Sequence, residues 1–472
     1  MLTRLQVQGF KNLLDVDVEF GPFTCIAGAN GMGKSNVFDA IEFLSYLATD
    51  PLSEASQRVR SAAGNRGGDP RDLFWDGYRS DRHQMTLSAE MIVPNEVEDE
   101  LGERVASTAT HLRYEVTLRY EAGRGDHGLG RLQLVREDLR QVDDSRASLR
   151  FPAPAEFLNA VITRVEPGRL FLSTQRQTED GLVVDVHAEQ KRGSMKRSRV
   201  AKGSSRTVLS TMTTADYPTV LAARREMQSW RRLALEPSAL RAPDGTVSPE
   251  ILAPDGRYLP STLYRIAHGP DWSAAAEPER VYAAVAGRLS DLSGVAVENL
   301  EVEYDEAREL FTLFLRERGG LRLPARALSE GTLRFLALCV LLEDPDFTGL
   351  ICMEEPENGI HPANLPAMVQ LVRDLAVDPG HPPGADNPFR QVIINTHSPG
   401  VVQLCDPADL LLARLRPRSV PDQGVMRALS LMPYRGSWRA RPGEPTFSEA
   451  DVVEYLAGPP TAQLRLPPGL IA

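Results

Sequence analysis

The sequence predicts an α/β fold with a mostly parallel core sheet, an antiparallel side sheet and a mixed, largely helical insertion. Three observations predict it. A Gly-rich loop, Gly28-Ala-Asn-Gly-Met-Gly-Lys-Ser35, separates a short apolar run from an amphipathic stretch. Short apolar runs alternate with helically spaced segments from about residue 298 to 400, the mark of a largely parallel layer. Strict apolar/polar alternation over 85–93 and 112–120 marks antiparallel strands with one wet face.

Taken in order, Leu5-Gln-Val-Gln and Asp15-Val-Asp-Val-Glu-Phe20 read as alternating strands and Phe23-Thr-Cys-Ile-Ala27 as a buried one. After the glycine turn, Val37, Ile41, Leu44 and Ala48 recur at helical spacing, and Pro51 lies just beyond. Residues 52–82, rich in Gly, Ser, Arg and Asp, read as a loop. The stretch 141–290 is the least patterned. It carries seven Lys or Arg without an acid from Lys191 to Arg206, and helices are expected around 218–233 and 276–291. Beyond 298, helical spacing at Leu333, Leu336, Ala337, Val340 and Leu341, and again at Leu365, Met368, Leu371, Val372 and Leu375, brackets two apolar strands, Gly349–Met353 and Gln391–Asn395. The expected division is 1–140 (first lobe), 141–297 (insertion with a basic loop, 191–206), 298–436 (second lobe) and 437–472 (tail).

The chain has 472 residues with 53 basic and 64 acidic side chains, a net charge of −11, which argues against a protein that coats nucleic acid over its whole surface. The longest apolar run, Phe335–Leu342, is far short of the ~20 residues of a membrane span, and Met1–Gln8 lacks the apolar core of a leader, so a cytoplasmic, membrane-free protein is expected. Cys25, Cys339, Cys352 and Cys405 show no Cys-x-x-Cys spacing and read as buried free thiols. The eight histidines form no metal-ligand pair. No repeat or long heptad run is present, which excludes a coiled-coil arm.

The Gly28–Ser35 loop fits the pattern Gly, four residues, Gly-Lys-Ser, set between strand and helix. Its glycines let backbone N–H groups wrap phosphates at a helix N-terminus; Lys34 would reach the β- and γ-phosphates and Ser35 a Mg²⁺ ion. The strand Leu350–Met353 ends in Glu354-Glu355, at the sheet edge where open α/β sheets bind ligands. One carboxylate there can hold Mg²⁺ and the next can orient or deprotonate a water. Leu328-Ser-Glu-Gly-Thr332 opens a helix, so the Ser329 hydroxyl and Gly331 N–H form a second anion site; one nucleotide needs only one such site, so the second implies another subunit's nucleotide. Thr396-His-Ser-Pro399 puts an imidazole at the same sheet edge. Singly, each of the last three has an ordinary reading as a solvated strand end, an N-cap or a loop residue. Their order along the chain carries the weight.

That ordered set, with Met353-Glu-Glu-Pro-Glu-Asn-Gly-Ile-His-Pro362 and the opening Gly9-Phe-Lys-Asn12, resembles the RecF/SMC/OLD branch of ABC-type ATPases, and more closely the stand-alone "AAA family ATPase" proteins of bacteria. The resemblance implies an ATP- and Mg²⁺-using ATPase head. Its nucleotide contacts would be Lys11, Asn12, Asn30, Gly31, Gly33, Lys34, Ser35, Asn36 and the D-loop residue Asn358. Ser35 and Glu354 would hold Mg²⁺, Glu355 would be the catalytic glutamate, and His397 the switch histidine. Ser329 and Gly331 would complete the site of a second copy in an ATP-sandwich homodimer. The signature reads Ser-Glu-Gly rather than Ser-Gly-Gly, and Glu replaces Asp at 354; both variants occur in this branch. No Q-loop glutamine is assigned, Gln84 being a guess.

Nucleases of the OLD type add an acidic metal-binding domain, whereas only about 70 residues follow His397. A separately encoded effector, such as a nuclease, is therefore the expected partner, in genome defence or DNA processing. A RecF-like DNA clamp and a sensor of protein partners remain the alternatives. Lys191, Arg192, Lys196, Arg197 and Arg199 read either as a solvated loop or as a contact to nucleic-acid phosphate.

Overall fold

The computed structural model describes residues 1–456 except 60–68, 76–83, 124–129, 144–148, 164–167, 176–181, 190–195, 201–203, 250, 270–277, 294–295 and 421–423. The core sheet runs Arg231–Leu233, Gly349–Glu354, Arg390–Thr396, Phe23–Ala27, Leu410–Val420, Gly424–Pro433. Its first five strands are parallel and the last is antiparallel. Every residue of Phe23–Ala27 and Arg390–Thr396 is buried, because a parallel sheet is covered on both faces. Alternate residues divide between two cores. Ile26, Leu350, Cys352 and Ile393 face the helix Lys34–Leu47 and the side sheet, while Cys25, Ile351, Met353 and Ile394 face the helices Glu330–Glu343 and Leu365–Asp374. A strand from the first lobe thus lies between strands of the second, and the two lobes share one sheet.

The side sheet has eight antiparallel strands in the order Lys196–Val200, Leu182–Val186, Leu170–Thr174, Arg131–Gln141, His111–Glu121, Gln84–Ile92, Leu2–Phe10, Leu13–Glu19. The sequence division at 140/141 has no counterpart in this sheet, since three strands beyond it continue the same hydrogen-bond ladder. A small sheet of Val297–Asp305, Leu310–Glu317, Arg322–Pro324 and Asp244–Gly245 packs with the helices Leu259–His268 and Pro278–Ser293 on the far side of the core.

Several sequence expectations change. Within 52–82, Leu52–Arg58 is a helix burying Leu52 and Ala55, and Pro70–Leu73 is a 3-10 turn capped by Asp69; both are too short for periodicity to show. The helix expected over 218–233 stops at Gln228, and Arg231–Leu233 joins the core sheet instead. The basic loop is in part an edge strand. Lys196–Val200 pairs with Leu182–Val186, so Lys196, Arg197 and Arg199 sit on a strand, while Lys191 and Arg192 lie outside the described residues. Arg206 is held by the protein itself, donating to the Thr49 carbonyl. All four cysteines are buried free thiols. No described helix is long and apolar enough to cross a membrane.

Candidate functional site

Register brings the chemistry to one edge. Ala27 lies opposite Thr396 and Leu412, and Glu354 opposite Asn395, so the loops after Ala27, Glu354 and Thr396 leave the sheet side by side at its C-terminal end. Gly28 N–H donates to the Thr396 carbonyl at 3.2 Å, which ties the glycine loop to the neighbouring strand. Gly31 and Gly33 adopt φ of 78° and 90°. A Cβ at Gly33 would sit 2.0 Å from Asn12 Nδ2, whereas one at Gly31 would meet nothing within 4 Å among the described residues. The loop is therefore tight on its protein side and open on the other. The helix Lys34–Leu47 starts behind Gly33 with no side-chain cap, leaving its first N–H groups to face the loop.

Lys34 is buried, and its Nζ donates to the carbonyls of Gly28 at 2.6 Å and Ala29 at 3.0 Å. Burial lowers its pKa, against the opposing pull of Glu355, Glu354 and Glu357. Asn12 braces the loop: its Nδ2 donates to the Met32 carbonyl at 3.0 Å, and its Oδ1 accepts from Asn36 Nδ2 at 2.6 Å. Lys11, with φ of 46°, points its ammonium to the buried Asp39 at 2.8 Å. Asn30 is exposed at the loop tip and Ser35 lies in the first helical turn.

Glu355 also takes a left-handed backbone, φ 45°, at the end of its strand. That conformation is costly for a residue with a side chain and persists only where its surroundings enforce it. Here Glu355 N–H donates to the Asn395 carbonyl at 2.9 Å. Its Oε2 accepts from Asn358 Nδ2 at 2.9 Å, and Oε1 lies 2.6 Å from His397 Nδ1. Because an ionised carboxylate only accepts, this contact selects the His397 tautomer with hydrogen on Nδ1. Partial burial works against the Glu355 charge, but Asn358, His397 and Lys34 outweigh it and hold the carboxyl below its ordinary pKa. Behind it, Glu357 is buried and bonded to Thr396, with Oε2 lacking a partner among the described residues, and burial raises its pKa. Glu354 Oε1 lies 2.7 Å from Arg232 Nη2.

Ser329 caps the helix Glu330–Glu343, its Oγ accepting from Thr332 N–H at 3.1 Å. Gly331 packs on the next loop, since a Cβ there would lie 3.2 Å from the Gly359 carbonyl. Arg334, one turn on, joins Leu235, Leu338, Glu354, Glu355 and Asn358 around a cleft of about 260 Å³. The structure thus brings Lys34, Glu354, Glu355, Asn358 and His397 to one edge, with Gly31, Gly33 and Ser35 beside them. Lys11, Asn12 and Asn36 serve as braces behind the loop. Gln84 instead lines a broad groove on the side sheet with Gln6, Asp17 and Arg113. Sequence reasoning missed Arg232, Asp39 and Glu357.

The residues present fit a nucleotide with Mg²⁺: an open glycine cradle before an uncapped helix, a buried amine, and two carboxylates at the end of the next strand but one. Comparison with known families agrees. A family described as "AAA domain" matches residues 4–146, and one described as "AAA domain, putative AbiEii toxin, Type IV TA system" matches 169–403. The DNA replication and repair protein RecF of Phocaeicola vulgatus is 41% identical over 63 residues, 13% of this chain and 16% of that protein. The OLD nuclease of Thermus scotoductus is 48% identical over 44 residues, 9% of this chain and 8% of that protein. The match therefore spans less than a fifth of either relative's length. Among solved structures, the SMC head domain from Thermotoga maritima aligns over 92% of this chain and 99% of that chain, with 14% identity and a TM-score of 0.35. The Smc head of Pyrococcus furiosus bound to the C-terminal domain of ScpA aligns over 92% and 96%, with 12% identity and a TM-score of 0.41. Residues 4–146 and 169–403 are thus similar to AAA-domain families, and short stretches are similar to RecF and to an OLD nuclease.

Proposed function

We propose that the chain is an ATP-binding and ATP-hydrolysing head that dimerises around two ATP molecules and uses that cycle to regulate a separately encoded effector in bacterial genome defence or DNA processing. The observation that carries the ATPase part is the Lys34–Glu355–His397 constellation at one sheet edge. Lys34 keeps one of its three N–H donors beyond the two given to the loop, and its charge suits the β/γ-phosphates. The N–H groups at the start of the helix Lys34–Leu47 cradle the same phosphates. Ser35 and Glu354 would hold Mg²⁺, which when bound neutralises phosphate charge. Glu355 stays ionised and can accept a proton from the attacking water, while His397 and Asn358 fix its two oxygens. Ser329 and Gly331, at an anion-friendly helix start, suit the phosphates of a second copy's nucleotide.

The decisive experiment is Glu355→Gln. The variant is expected to bind ATP with parental affinity, to hydrolyse it at least 100-fold more slowly, as general-base loss does, and to shift from monomer to dimer on adding ATP. Light scattering with and without ATP reads the shift. Turnover at the parental rate would remove Glu355 from the mechanism, and full hydrolysis by a strict monomer would remove the sandwich.

The short RecF matches and the basic strand support a second reading, in which ATP-gated dimers hold DNA. Replacing Lys191, Arg192, Lys196, Arg197 and Arg199 with Ala is then expected to weaken DNA binding and flatten its salt dependence while sparing ATPase activity. Unchanged DNA binding would return the segment to a solvated edge.

A further inference from the structure

Behind the acidic strand end, Glu354 joins a charge cluster in which Arg232, Asp39 and Glu42 are not used by the proposed ATPase chemistry. Arg232 stands on the edge strand Arg231–Leu233, opposite Cys352 and so beside the strand that ends in Glu354. Neighbouring strand residues face opposite ways. Arg231 turns to the Phe347 ring, 4.6 Å away, while Arg232 turns to the helix Lys34–Leu47. Its Nη1 lies 3.3 Å from both Asp39 Oδ1 and Glu42 Oε2, and its Nη2 lies 2.7 Å from Glu354 Oε1. Asp39 is fully buried and also holds Lys11 Nζ at 2.8 Å. Lys11 in turn precedes Asn12, which braces the glycine loop.

The cluster therefore has three carboxylates, two of them from the phosphate-loop helix, gathered on one planar guanidinium. A guanidinium offers five donors in a fixed fork, so it can hold three acids at once where an ammonium cannot. Burial disfavours the Arg232 charge, but Glu354, Glu42 and Asp39 more than offset it. Glu354 has three rotatable side-chain bonds, and its Oε1 is buried without a directed hydrogen bond among the described residues; the Arg232 charge is what fixes it.

We infer that Arg232 is a positioning residue for the metal site: it anchors Glu354 by one carboxylate oxygen, leaves the other for a divalent cation, and locks that geometry to the phosphate-loop helix through Asp39 and Glu42. This rests on the ATP-site reading above. Residues that hold a metal ligand in place typically contribute ~10–100-fold to metal affinity.

The test measures Mn²⁺ binding, by the paramagnetic resonance signal of the free ion, to the full chain saturated with a non-hydrolysable ATP analogue. Arg232→Met is expected to keep its metal-free affinity for the analogue but to bind Mn²⁺ about 10-fold more weakly. Because the variant takes the Arg232 charge away from Asp39 and Glu42, Arg232→Met combined with Asp39→Asn and Glu42→Gln serves as a second test. It relieves the buried charges and is still expected to bind Mn²⁺ weakly, since Glu354 remains unanchored. Parental Mn²⁺ affinity in the single variant overturns the assignment. Recovery of that affinity in the triple variant also overturns it, by showing that Arg232 only neutralises Asp39 and Glu42; if the single variant does not fold, the triple variant decides alone. Failure of the parental chain to bind Mn²⁺ with the analogue overturns the ATP site and this assignment together.

Discussion

Gly31 and Gly33 share a left-handed backbone but not its consequences. An alanine at either position meets a conformational cost of about 1–2 kcal/mol. At Gly33 it also drives a methyl group into the Asn12 amide that braces the loop, while at Gly31 it projects into open space where phosphates would lie. Gly31→Ala is thus expected to melt only a few degrees below the parent yet lose ATP affinity. Gly33→Ala should lose more stability as well, and thermal melts beside nucleotide titrations separate the two. The loop glycines were legible in the sequence because their spacing is local. The acids and bases behind them were not: Arg232 and Asp39 are 193 residues apart, and only the pairing of Arg231–Leu233 with Gly349–Glu354 brings them together.

Among elements, the strand Arg131–Gln141 carries an acid with a folding role. Glu137 is fully buried and accepts from the N–H groups of Val208 and Leu209 at 2.6 and 2.7 Å and from Tyr114 Oη at 3.2 Å, pinning the 207–209 segment to the side sheet. Burial dominates these hydrogen bonds and raises its pKa to about 7 from an ordinary 4.5. The folded chain then binds the extra proton between pH 4.5 and 7, so stability is full below that window and is lost as pH rises through it, by up to about 1.4 kcal/mol per pH unit. Glu137→Gln is expected to melt lower at pH 4.5, since an amide cannot accept from both N–H groups, but to show a flatter dependence of Tm on pH up to 7. An unchanged slope would assign the pH dependence elsewhere. The same scale explains the missed helix Leu52–Arg58. It buries only three residues of a single short turn pattern, and Ser, Glu, Gln and Arg fill the rest.

For the whole molecule, the signature residues carry the consequence. Ser329 spends its oxygen on the helix cap and Gly331 is pressed against Gly359, so this helix start is rigid and presented as one unit with the Glu355–Asn358 loop. A composite site made from two copies predicts complementation. Ser329→Arg chains should bind ATP yet neither dimerise nor hydrolyse it, as Lys34→Ala chains should fail to bind it. A mixture of the two should regain one working site per heterodimer and a measurable fraction of parental turnover. No recovery in the mixture, with both chains folded, would count against the shared interface.

Sequence alone determined what local order can determine. The glycine loop between strand and helix, the acidic strand end, the capped signature helix and the histidine after its strand each lie within about ten residues of chain, where periodicity and turn chemistry act. Tertiary structure decided what depends on strand order and register. It placed Phe23–Ala27 between strands that come almost 400 residues later, carried the side sheet across residues 170–200, and gathered Lys11, Asp39, Glu42, Arg232 and Glu354 into one charge cluster. The physical reason is that helix and strand periods are written in neighbouring residues. A buried charge, in contrast, is stabilised only by partners that long-range packing brings within a few ångströms.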